Sequence, residues 1–496
     1  MRPWVSAASV LAASVFATFG LASFATLLAG CATVSPEAPP AAATAPAATV
    51  VPRDRELWVD ASVPEAGDGS RAKPFKTLAQ ALQATSGTGR IHLRSGLYPG
   101  PFTLADGAVL EGQGEVVLYL EGTGTVVTTS GEVRLSGLTV QGGGHGIEVE
   151  GTLALTKVQL SGHRRAAVRL VQGTLRAEHS TFQASVSESS GLLLEAGTRA
   201  EVRESKFLGP YWRALHARGV QRVIVEDSRF EGPVTGLHQV GGEAVVRRTS
   251  LHGGRGPALF VARGSLRAEG VRVKGHEYAL QTRQVNPLVV RDFVSVAAER
   301  AGLGLFDAKG ELEDVVVVGS GTFGALQALD SDVTVRRLRA HRSQGYGVMV
   351  RGGKMELEEA VITGVVDRGD SGNALELRQC EVNVRGLTVL DAGGIGVLAA
   401  QEAKVSLYDV RLERCRWAGV LAETLATVKG SSVTVRDSPG AAVAVPGDGE
   451  VALDRLTSEK NVEGAVWAEC ARGAKVTLTR LTEDGPARPR PVCVKP

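Results

Sequence analysis

Aspartates recur at one turn position of this 496-residue chain, and they are the first residues that could carry out acid–base chemistry. Hydrolysis of a glycosidic bond needs two carboxylates held across the bond, and elimination needs a base beside a neutralised uronate. Glycines take the same position in other copies of the pattern, and Asp and Gly share a tolerance of left-handed backbone geometry. We therefore interpret the position as a tight turn, not as a row of catalytic carboxylates. Its members are Asp227, Gly270, Asp292, Gly386, Asp409 and Asp454.

Aromatic and histidine side chains concentrate in a second recurring segment, which closes each copy of the pattern. Aromatic residues are only 5% of the chain, so their concentration at one place indicates a binding surface. Rings at the repeat spacing could stack on sugar faces while His and Arg bond the hydroxyl or carboxylate groups. We predict that Phe323 and Tyr346 take the same place on adjacent copies, with Tyr278 at that place two copies earlier. The alternative is that the rings pack on one another and shield the loop edge. The candidate ligand-binding residues are Trp212, Tyr278, Phe323, Tyr346, Trp417, His252, His276 and His341.

Two further histidines, His216 and His238, take the second place of consecutive copies, in LHARG and LHQVGG. This spacing predicts that they lie side by side on one strand face. An adjacent pair can bind a metal or titrate near neutrality, but a metal site needs three or four ligands. We interpret them as surface histidines. No Cys-x-x-Cys or His-rich ligand spacing occurs in the sequence, so no metal or other cofactor is expected.

These residues are positioned by a repeat that occurs about fifteen times between Ile147 and the C-terminus. Each copy has an apolar residue after Gly or Ala, a polar turn and two strands with period-two alternation of Val, Ile and Leu. One copy cannot bury its apolar face alone, so the copies must stack into a solenoid. The predicted starts are 21 to 27 residues apart, at Ile147, Val168, Leu192, Leu215, Leu237, Leu259, Leu280, Leu303, Ala325, Val348, Leu375, Val397, Val420, Val443 and Val466.

The segment before the repeat resembles the N-terminal cap of the right-handed parallel β-helix, or pectin-lyase-like, superfamily. It has a strand at residues 58–60, a DG loop at 68–70, the sequence PFKT, a short helix at 78–84 and an I-x-L-x-x-G-x-Y strand at 91–98. The resemblance implies an all-β chain, a single-stranded right-handed parallel β-helix of about 15–16 coils with a short N-terminal capping helix. It implies no single activity, because the superfamily holds lyases, hydrolases, epimerases and adhesins.

Catalytic motifs of this superfamily have no full match in the chain. Of the polygalacturonase-like motifs only GHG is present, in GGHG at residues 143–146. The nearest match to the pectate-lyase-like RxPxxR segment is Arg283, Pro287 and Arg291, which are spaced differently. The DPHE motif of alginate-epimerase-like proteins is absent. We therefore identify no catalytic residue.

The N-terminal thirty residues carry Arg2, a long apolar run and the sequence LLAG directly before Cys31. This order resembles the bacterial lipoprotein signal, with cleavage before Cys31 and lipidation of its thiol. The alternative is an uncleaved anchor, since residues 5–29 are long enough to span a bilayer. Ala32, by resemblance to the Gram-negative sorting rule, favours the outer membrane. The sequence predicts an exported protein that is lipid-anchored at the outer membrane, on its periplasmic face or at the cell surface.

The segment boundaries follow from composition and repeat spacing. Residues 1–30 are the predicted signal peptide and 31–56 an Ala/Pro-rich tether. Residues 57–115 form the cap and first coils, 116–485 the remaining β-helix coils, and 486–496 a C-terminal tail.

Four cysteines remain once Cys31 is set aside. Cys470 and Cys493 are 23 residues apart, one coil length, so they could stack at a distance that fits a disulfide in an oxidising compartment. Cys380 and Cys415 are 35 residues apart and should face different sides, so we expect two buried thiols.

Charge and composition narrow the function further. A net charge of +2 spread over a long solenoid gives no argument for a nucleic-acid partner. We expect a cell-envelope lipoprotein whose β-helix scaffold binds a polysaccharide or another envelope component. One alternative is a polysaccharide lyase, glycoside hydrolase or epimerase, and another is a non-catalytic surface spacer or adhesin.

Overall fold

A computed structural model describes residues 56–367, 369, 371–484 and 493–495 of the chain. The predicted signal peptide, the lipidation residue Cys31 and the tether lie outside these residues, apart from Glu56. Most of the predicted tail of residues 486–496 lies outside them as well. Within the described part of the chain, no helix is both long enough and apolar enough to cross a membrane.

The chain winds into an all-β, right-handed parallel β-helix of about 17 turns, which confirms the predicted fold class. Each coil contributes to three sheets: in the coil of residues 166–183, Val168 belongs to sheet A, Ala177 to sheet B and Phe182 to sheet C. These three side chains are fully buried, so the core runs along the axis of the helix. The sheet A column begins at Phe102, ahead of the first predicted start, and the helix therefore has more turns than the 15–16 predicted.

The strands between Thr181 and His252 are short, and several of the others continue around a corner into the next sheet. The one α-helix in the described residues is Leu78–Ala84, and Cys470–Arg472 is a 3₁₀ turn. The strands are Glu56–Val59, Arg90–Pro99, Phe102–Leu104, Val109–Leu120, Thr125–Ser136, Thr139–Gly142, His145–Thr156, Gln159–Ser161, Ala166–Glu178, Thr181–Gln183, Ser190–Leu194, Arg199–Arg203, Lys206–Leu208, Arg213–Arg218, Arg222–Glu226, Arg229–Glu231, Thr235–Val240, Glu243–Arg247, Ser250–His252, Leu259–Lys274, Tyr278–Ala298, Ala301–Phe306, Lys309–Ser320, Leu326–His341, Tyr346–Glu358, Val361–Val365, Asn373–Arg378, Glu381–Ala392, Ile395–Ala400, Lys404–Glu413, Ala418–Ala422, Thr427–Arg436, Ala441–Val445, Glu450–Glu459, Val466–Ala468, Lys475–Asp484 and Val494–Lys495.

Parallel pairing in sheet A confirms fourteen of the fifteen predicted coil starts. From Ile147 onward, each of these residues lies opposite the corresponding residue of the next coil. The prediction is wrong at Ala325, because Leu326 is the residue that pairs with Val348. Ala325 is the small residue that precedes a coil start.

The Gly or Ala before each start faces the core at a corner of the helix. A Cβ added to Gly236 would lie 2.3 Å from Leu251 Cδ2 and 2.7 Å from the carbonyl oxygen of Ala258. Because this small residue and the apolar residue after it both point inward, a larger side chain would collide with sheet C. The small residues from Gly146 onward are Gly146, Ala167, Gly191, Ala214, Gly236, Ala258, Ala279, Gly302, Ala325, Gly347, Ala374, Gly396, Gly419, Ala442 and Ala465.

The turn between sheets B and C carries one residue per coil with positive φ. The φ angles of this column lie between 44° and 69°. This confirms the turn interpretation for five of the six residues named from the sequence. It is wrong for Asp454, since the register puts Arg455 opposite the turn residue Ser432. The column comprises Gly137, Lys157, His179, Glu204, Asp227, Arg248, Gly270, Asp292, Asp314, Arg337, Glu359, Gly386, Asp409 and Ser432.

Both ends of the described helix have covering elements. At the N-terminal end, Thr77 and Gln80 form a capping box, and the helix buries Leu78 and Ala81 against the first coils. Such a lid protects strand edges that would otherwise be open to aggregation. At the other end, a disulfide joins Cys470 and Cys493 at a Cα–Cα distance of 5.4 Å. It holds the segment around Val494–Lys495 beside the last long strand.

The two remaining cysteines of the described residues are buried thiols in the core. Cys380 is 6% exposed and Cys415 is fully buried. Burial raises the pKa of each thiol to about 12, so both are protonated and unreactive at neutral pH.

Candidate ligand-binding face

The outer face of sheet A receives three side chains from each coil, because the small residue and the apolar residue after it both turn inward. In one coil the outward residues are Arg213, His216 and Arg218, whereas Ala214 and Leu215 are fully buried. The outward residue that follows the inward apolar residue forms a column of its own along the helix. From the third predicted coil start, Leu192, onward, its members are Leu193, His216, His238, Phe260, Gln281, Gly304, Gln327, Met349, Glu376, Leu398, Leu421, Ala444 and Trp467.

Three consecutive members of this column form a continuous group of rings. The centroids of His216 and His238 are 5.3 Å apart in an edge-on arrangement, and His238 stacks on Phe260 at 4.7 Å. Nη1 of Arg213 lies 2.9 Å from Nε2 of His216. All three rings are half-buried, so part of each remains open to solvent. We name Arg213, His216, His238 and Phe260 the imidazole cluster.

Both histidines of the imidazole cluster are neutral at pH 7. Burial, together with the positive charge of Arg213, lowers the pKa of each to about 4. Among the described residues, neither Arg213 nor Arg218 has a carboxylate within 4.0 Å, whereas Arg169 two coils earlier has two. The cluster therefore presents neutral rings beside guanidinium groups that have no carboxylate partner there.

Trp212 stands next to the imidazole cluster on the loop that precedes Arg213. Its side chain is 53% exposed. Its main-chain N–H donates to the carbonyl oxygen of Ser189 at 3.0 Å, and its carbonyl oxygen accepts from the N–H of Thr235 at 3.2 Å. The neighbouring coils thus fix the backbone, and a large exposed indole on a fixed backbone is suited to contact a ligand.

A second polar group lies five coils beyond Phe260 in the same column. The side chain of Glu376 is 7% exposed, and its carboxylate accepts from Nδ2 of Asn373 at 2.9 Å and Nε of Arg378 at 2.8 Å. Burial, with the charge of Glu376, raises the pKa of the neighbouring Tyr346. This carboxylate is a fixed hydrogen-bond acceptor in a largely apolar part of the face.

Sheet B has a different outer surface, which is dominated by exposed ion pairs between neighbouring coils. Nε of Arg336 lies 3.0 Å from Glu358, and Nη2 of Arg291 lies 2.7 Å from Glu311. Exposed pairs of this kind contribute little to stability and are typical of a solvated surface. The stacked rings of this sheet, Trp58 and His92 with centroids 4.5 Å apart, lie on the first coils, away from the imidazole cluster.

The predicted aromatic residues fall into two separate positions of the closing loop. Tyr278 and Tyr346 share one position, but Ala301 and Gly324 occupy it on the two coils between them. Phe323 lies one residue earlier in register, so the prediction that Phe323 and Tyr346 take the same place on adjacent coils is wrong. The cause is the misplaced coil start at Ala325. Adjacent coils form no ladder of rings at this position.

Trp212, Phe323 and Trp417 share the other position, three residues before the inward apolar residue. Five coils separate Trp212 from Phe323 and four separate Phe323 from Trp417, which are distances of about 24 Å and 19 Å. Trp417 is 60% exposed, with the guanidinium of Arg416 5.8 Å from its ring centroid. The structure thus separates these rings and does not join them into one platform.

Two of the predicted aromatic residues pack against protein. The guanidinium carbon of Arg300 lies 4.9 Å from the ring centroid of Phe323 and 5.9 Å from that of Tyr278. Nη1 of Arg300 is 2.8 Å from Oε1 of Glu277, and Tyr278 is only 5% exposed. At this part of the loop the rings serve packing, which is the alternative that the sequence left open.

The three predicted histidines also lie apart. His276 is fully buried, with Nδ1 3.1 Å from the carbonyl oxygen of Gly256, and burial lowers its pKa. His252 and His341 are exposed on sheet C, where Nδ1 of His341 lies 2.6 Å from Oγ1 of Thr363. None of the three borders the imidazole cluster in register.

Sequence inspection did not identify Arg213 and Phe260 as site residues. A signal for Phe260 was present, since LHARG, LHQVG and LFVAR place His216, His238 and Phe260 at the same second position. Nothing in the sequence marks Arg213, because its outward direction depends on the two consecutive inward residues that follow it. Among the described residues, no group of three or more His, Cys, Asp and Glu side chains could hold a metal ion.

Comparison with known proteins adds little to this geometry. No family model matches the chain, and no curated protein matches it either. Among solved structures, the chain is similar to the catalytic unit of a GH87 α-1,3-glucanase from Streptomyces thermodiastaticus, at 13% identity and TM-score 0.27, over 85% of this chain and 72% of that one. It is also similar to the PL6 alginate lyase AlyGC, at 10% identity and TM-score 0.27, over 86% and 91% of the two chains. A third is the A-module of a mannuronan C-5 epimerase from Azotobacter vinelandii, at 14% identity and TM-score 0.17, over 86% and 100%. At these scores the similarities carry no argument about activity.

Proposed function

We propose that this protein binds an acidic polysaccharide along the outer face of sheet A. The observation that carries the proposal is the imidazole cluster, where Arg213 stands beside the stacked rings of His238 and Phe260. Aromatic faces pack against the C–H face of a sugar ring, and a guanidinium binds a carboxylate through two parallel hydrogen bonds. A uronic-acid unit offers both features at once.

The shape of the face suits an extended polymer. The outward column from Leu193 to Trp467 crosses twelve coil steps, which is about 58 Å at about 4.8 Å per step. Half-buried rings and guanidinium groups lie near one end of this column, and the buried Glu376 with its apolar neighbours Met349 and Leu398 lies further along. A chain of several sugar units can therefore follow the column without bending.

Binding without catalysis is the simplest use of these residues. Glycosidic hydrolysis needs two carboxylates across the scissile bond. Glu376 is the only buried carboxylate on the outer face of sheet A among the described residues, and its oxygens already accept from Asn373 and Arg378. The imidazole cluster itself contains no carboxylate.

The test compares two tryptophans from the same position of the closing loop. Trp212→Ala removes the exposed ring beside the imidazole cluster, and Trp417→Ala removes an equally exposed ring nine coils away. Binding of a galacturonic-acid hexamer to the full chain, followed by calorimetry, should weaken at least about tenfold in the first variant. It should stay within about twofold of the parent in the second.

A glucose hexamer provides the test of charge. It should bind more weakly than the galacturonic-acid hexamer, and Arg213→Gln should abolish most of that difference. Equal losses in the two tryptophan variants, or equal binding of the two hexamers, would contradict the proposal.

The proposal extends to location: an exported protein anchored by lipid on Cys31 at the outer membrane. The leader sequence before Cys31 supports export, and the disulfide between Cys470 and Cys493 supports an oxidising compartment. Labelled palmitate should enter the parent chain and not Cys31→Ala. Incorporation into both would contradict the lipid anchor.

A further inference from the structure

Sheet B carries a cavity of about 490 Å³ on its outer surface. Its lining comes from four coils, two of which also carry residues of the imidazole cluster on sheet A, across the turn between sheets A and B. Its volume falls in the range of pockets that hold a small ligand. Its lining consists of Thr174, Arg176, Arg199, Ala200, Glu201, Gln221, Arg222, Ile224 and Glu243.

Two arginines of this cavity stand directly opposite each other. Arg199 pairs in parallel register with Arg222, and the same column continues to Thr174 on one side and Glu243 on the other. Like charges opposite each other on neighbouring strands are destabilising unless an anion lies between them. The short side chain of Thr174 leaves space beside Arg199, which opens the cavity.

The arginines differ in what they contact. Nε of Arg222 lies 3.2 Å from Glu243, and Nε of Arg176 lies 3.9 Å from Glu201. Nε of Arg199 instead donates to Oε1 of Gln221 at 2.6 Å, and no carboxylate of the described residues lies within ion-pair distance of Arg199. The neutral amide of Gln221 thus orients the guanidinium of Arg199. Both terminal nitrogens of Arg199 are then available to bind a ligand.

We infer that this cavity, here named the arginine cleft, binds the anionic group of an acidic sugar, either a carboxylate or a sulfate. Three guanidinium groups and two carboxylates line it, so it carries one net positive charge. The planar fork of Arg199 matches two oxygens of such a group, and Arg222 lies one strand away to share the charge. The inference goes beyond the proposed function, because the arginine cleft lies on a different sheet and shares no residue with the imidazole cluster.

The experiment uses the full chain and three monosaccharide probes: glucuronate, glucose 6-sulfate and glucose. Saturation-transfer NMR titrations should show saturable binding of at least one of the two anionic probes and none of glucose over the same range. Comparison of glucuronate with the sulfate ester distinguishes the two sources of charge. Arg199→Gln should weaken the binding at least about tenfold, since it removes the charged fork but keeps a polar side chain.

The matched control is Arg336→Gln, also on sheet B, where Nε of Arg336 lies 3.0 Å from Glu358. This variant should bind the anionic probe like the parent. Trp212→Ala should also bind it like the parent, which keeps this result separate from the polysaccharide test on sheet A. Parent-like binding in Arg199→Gln, an equal loss in Arg336→Gln, or equal binding of glucose would overturn the inference.

Discussion

Nη1 of Arg213 donates a hydrogen bond to Nε2 of His216 across 2.9 Å on the outer face of sheet A. A guanidinium has no acceptor, so Nε2 must be the unprotonated nitrogen and the ring proton of His216 must lie on Nδ1. The contact therefore fixes both the tautomer and the charge of this imidazole. It also holds Arg213 at the edge of the ring system, where a cation can meet a ligand.

Removal of that guanidinium should change the titration of both histidines. Arg213→Gln should raise the pKa of His216 and of His238 from about 4 toward the ordinary value of 6.5, because the charge of Arg213 disfavours both protonated forms. The ring signals followed by NMR between pH 3.5 and pH 8 measure the change. Arg218→Gln is the matched control, and it should produce the smaller shift. Equal shifts in the two variants would show that Arg213 has no special contact with the pair.

Acid should destabilise the fold through His163, a residue of a closing loop that is only 3% exposed. Burial lowers its pKa to about 4, although its Nδ1 donates to the carbonyl oxygen of Gly142. The unfolded chain binds this proton near pH 6.5, so the contribution to stability is complete above pH 6.5 and is lost as the pH falls toward 4. The loss is roughly 3 kcal/mol over that interval.

His163→Asn keeps a donor for Gly142 but cannot take up the proton. Its urea midpoint should therefore fall less between pH 7 and pH 4.5 than that of the parent. His252→Asn, at an exposed position of sheet C, should follow the parent curve. A parent-like pH dependence in His163→Asn would disprove the assignment.

A single methyl group at the core-facing corner should be costly. Gly236→Ala would place Cβ 2.3 Å from Leu251 Cδ2 and 2.7 Å from a main-chain oxygen. We expect a loss of about 1–3 kcal/mol from the free energy of unfolding, measured by urea denaturation and circular dichroism. Gly447→Ala is the control, because an added Cβ there meets no atom within 4 Å. It should be neutral or slightly stabilising.

Serines at the corner between sheets B and C link successive coils. Oγ of Ser205 accepts from the main-chain N–H of Ser180 at 3.1 Å and donates to the carbonyl oxygen of Arg203 at 2.7 Å. Ser205→Ala leaves the buried N–H of Ser180 without its acceptor, at a cost of about 1–3 kcal/mol. Hydrogen exchange at that amide should accelerate. The control is Ser250→Ala, at a half-buried position on sheet C, which should change neither the free energy of unfolding nor the exchange rate of the Ser180 amide. Parent-like exchange at that amide in Ser205→Ala would show that Ser205 does not link the two coils.

Coil boundaries and turn residues could be predicted from the sequence because each has a local physical cause. Gly or Ala is required at the inward corner, and residues such as Asp227 and Gly270 tolerate the positive φ of the turn. Both residue types therefore recur in the sequence at the coil spacing. No such pattern in the sequence shows whether a side chain of the closing loop is buried or exposed. Tyr278 is buried and Trp212 exposed although both belong to that loop, because their positions differ by one residue in register. Phe-Gly-Ala at residues 323–325 and Tyr-Gly-Val at residues 346–348 look alike in the sequence. Only the pairing between neighbouring coils shows that the two segments are offset by one residue in register.

The column of small corner residues bears on how the length of this protein can change. Each coil meets the next through the same corner, whether Gly or Ala stands there, and each coil contacts chiefly its two neighbours. Loss of the stretch from Ala279 to Ala301 would bring Gly302 onto the coil of Ala258, with both junctions of the same kind as before. Insertion or deletion of whole coils can thus lengthen or shorten the surface by about 4.8 Å at a time. Such changes during evolution would leave the coils of the imidazole cluster intact. They would change only the length of the face that a bound polymer contacts.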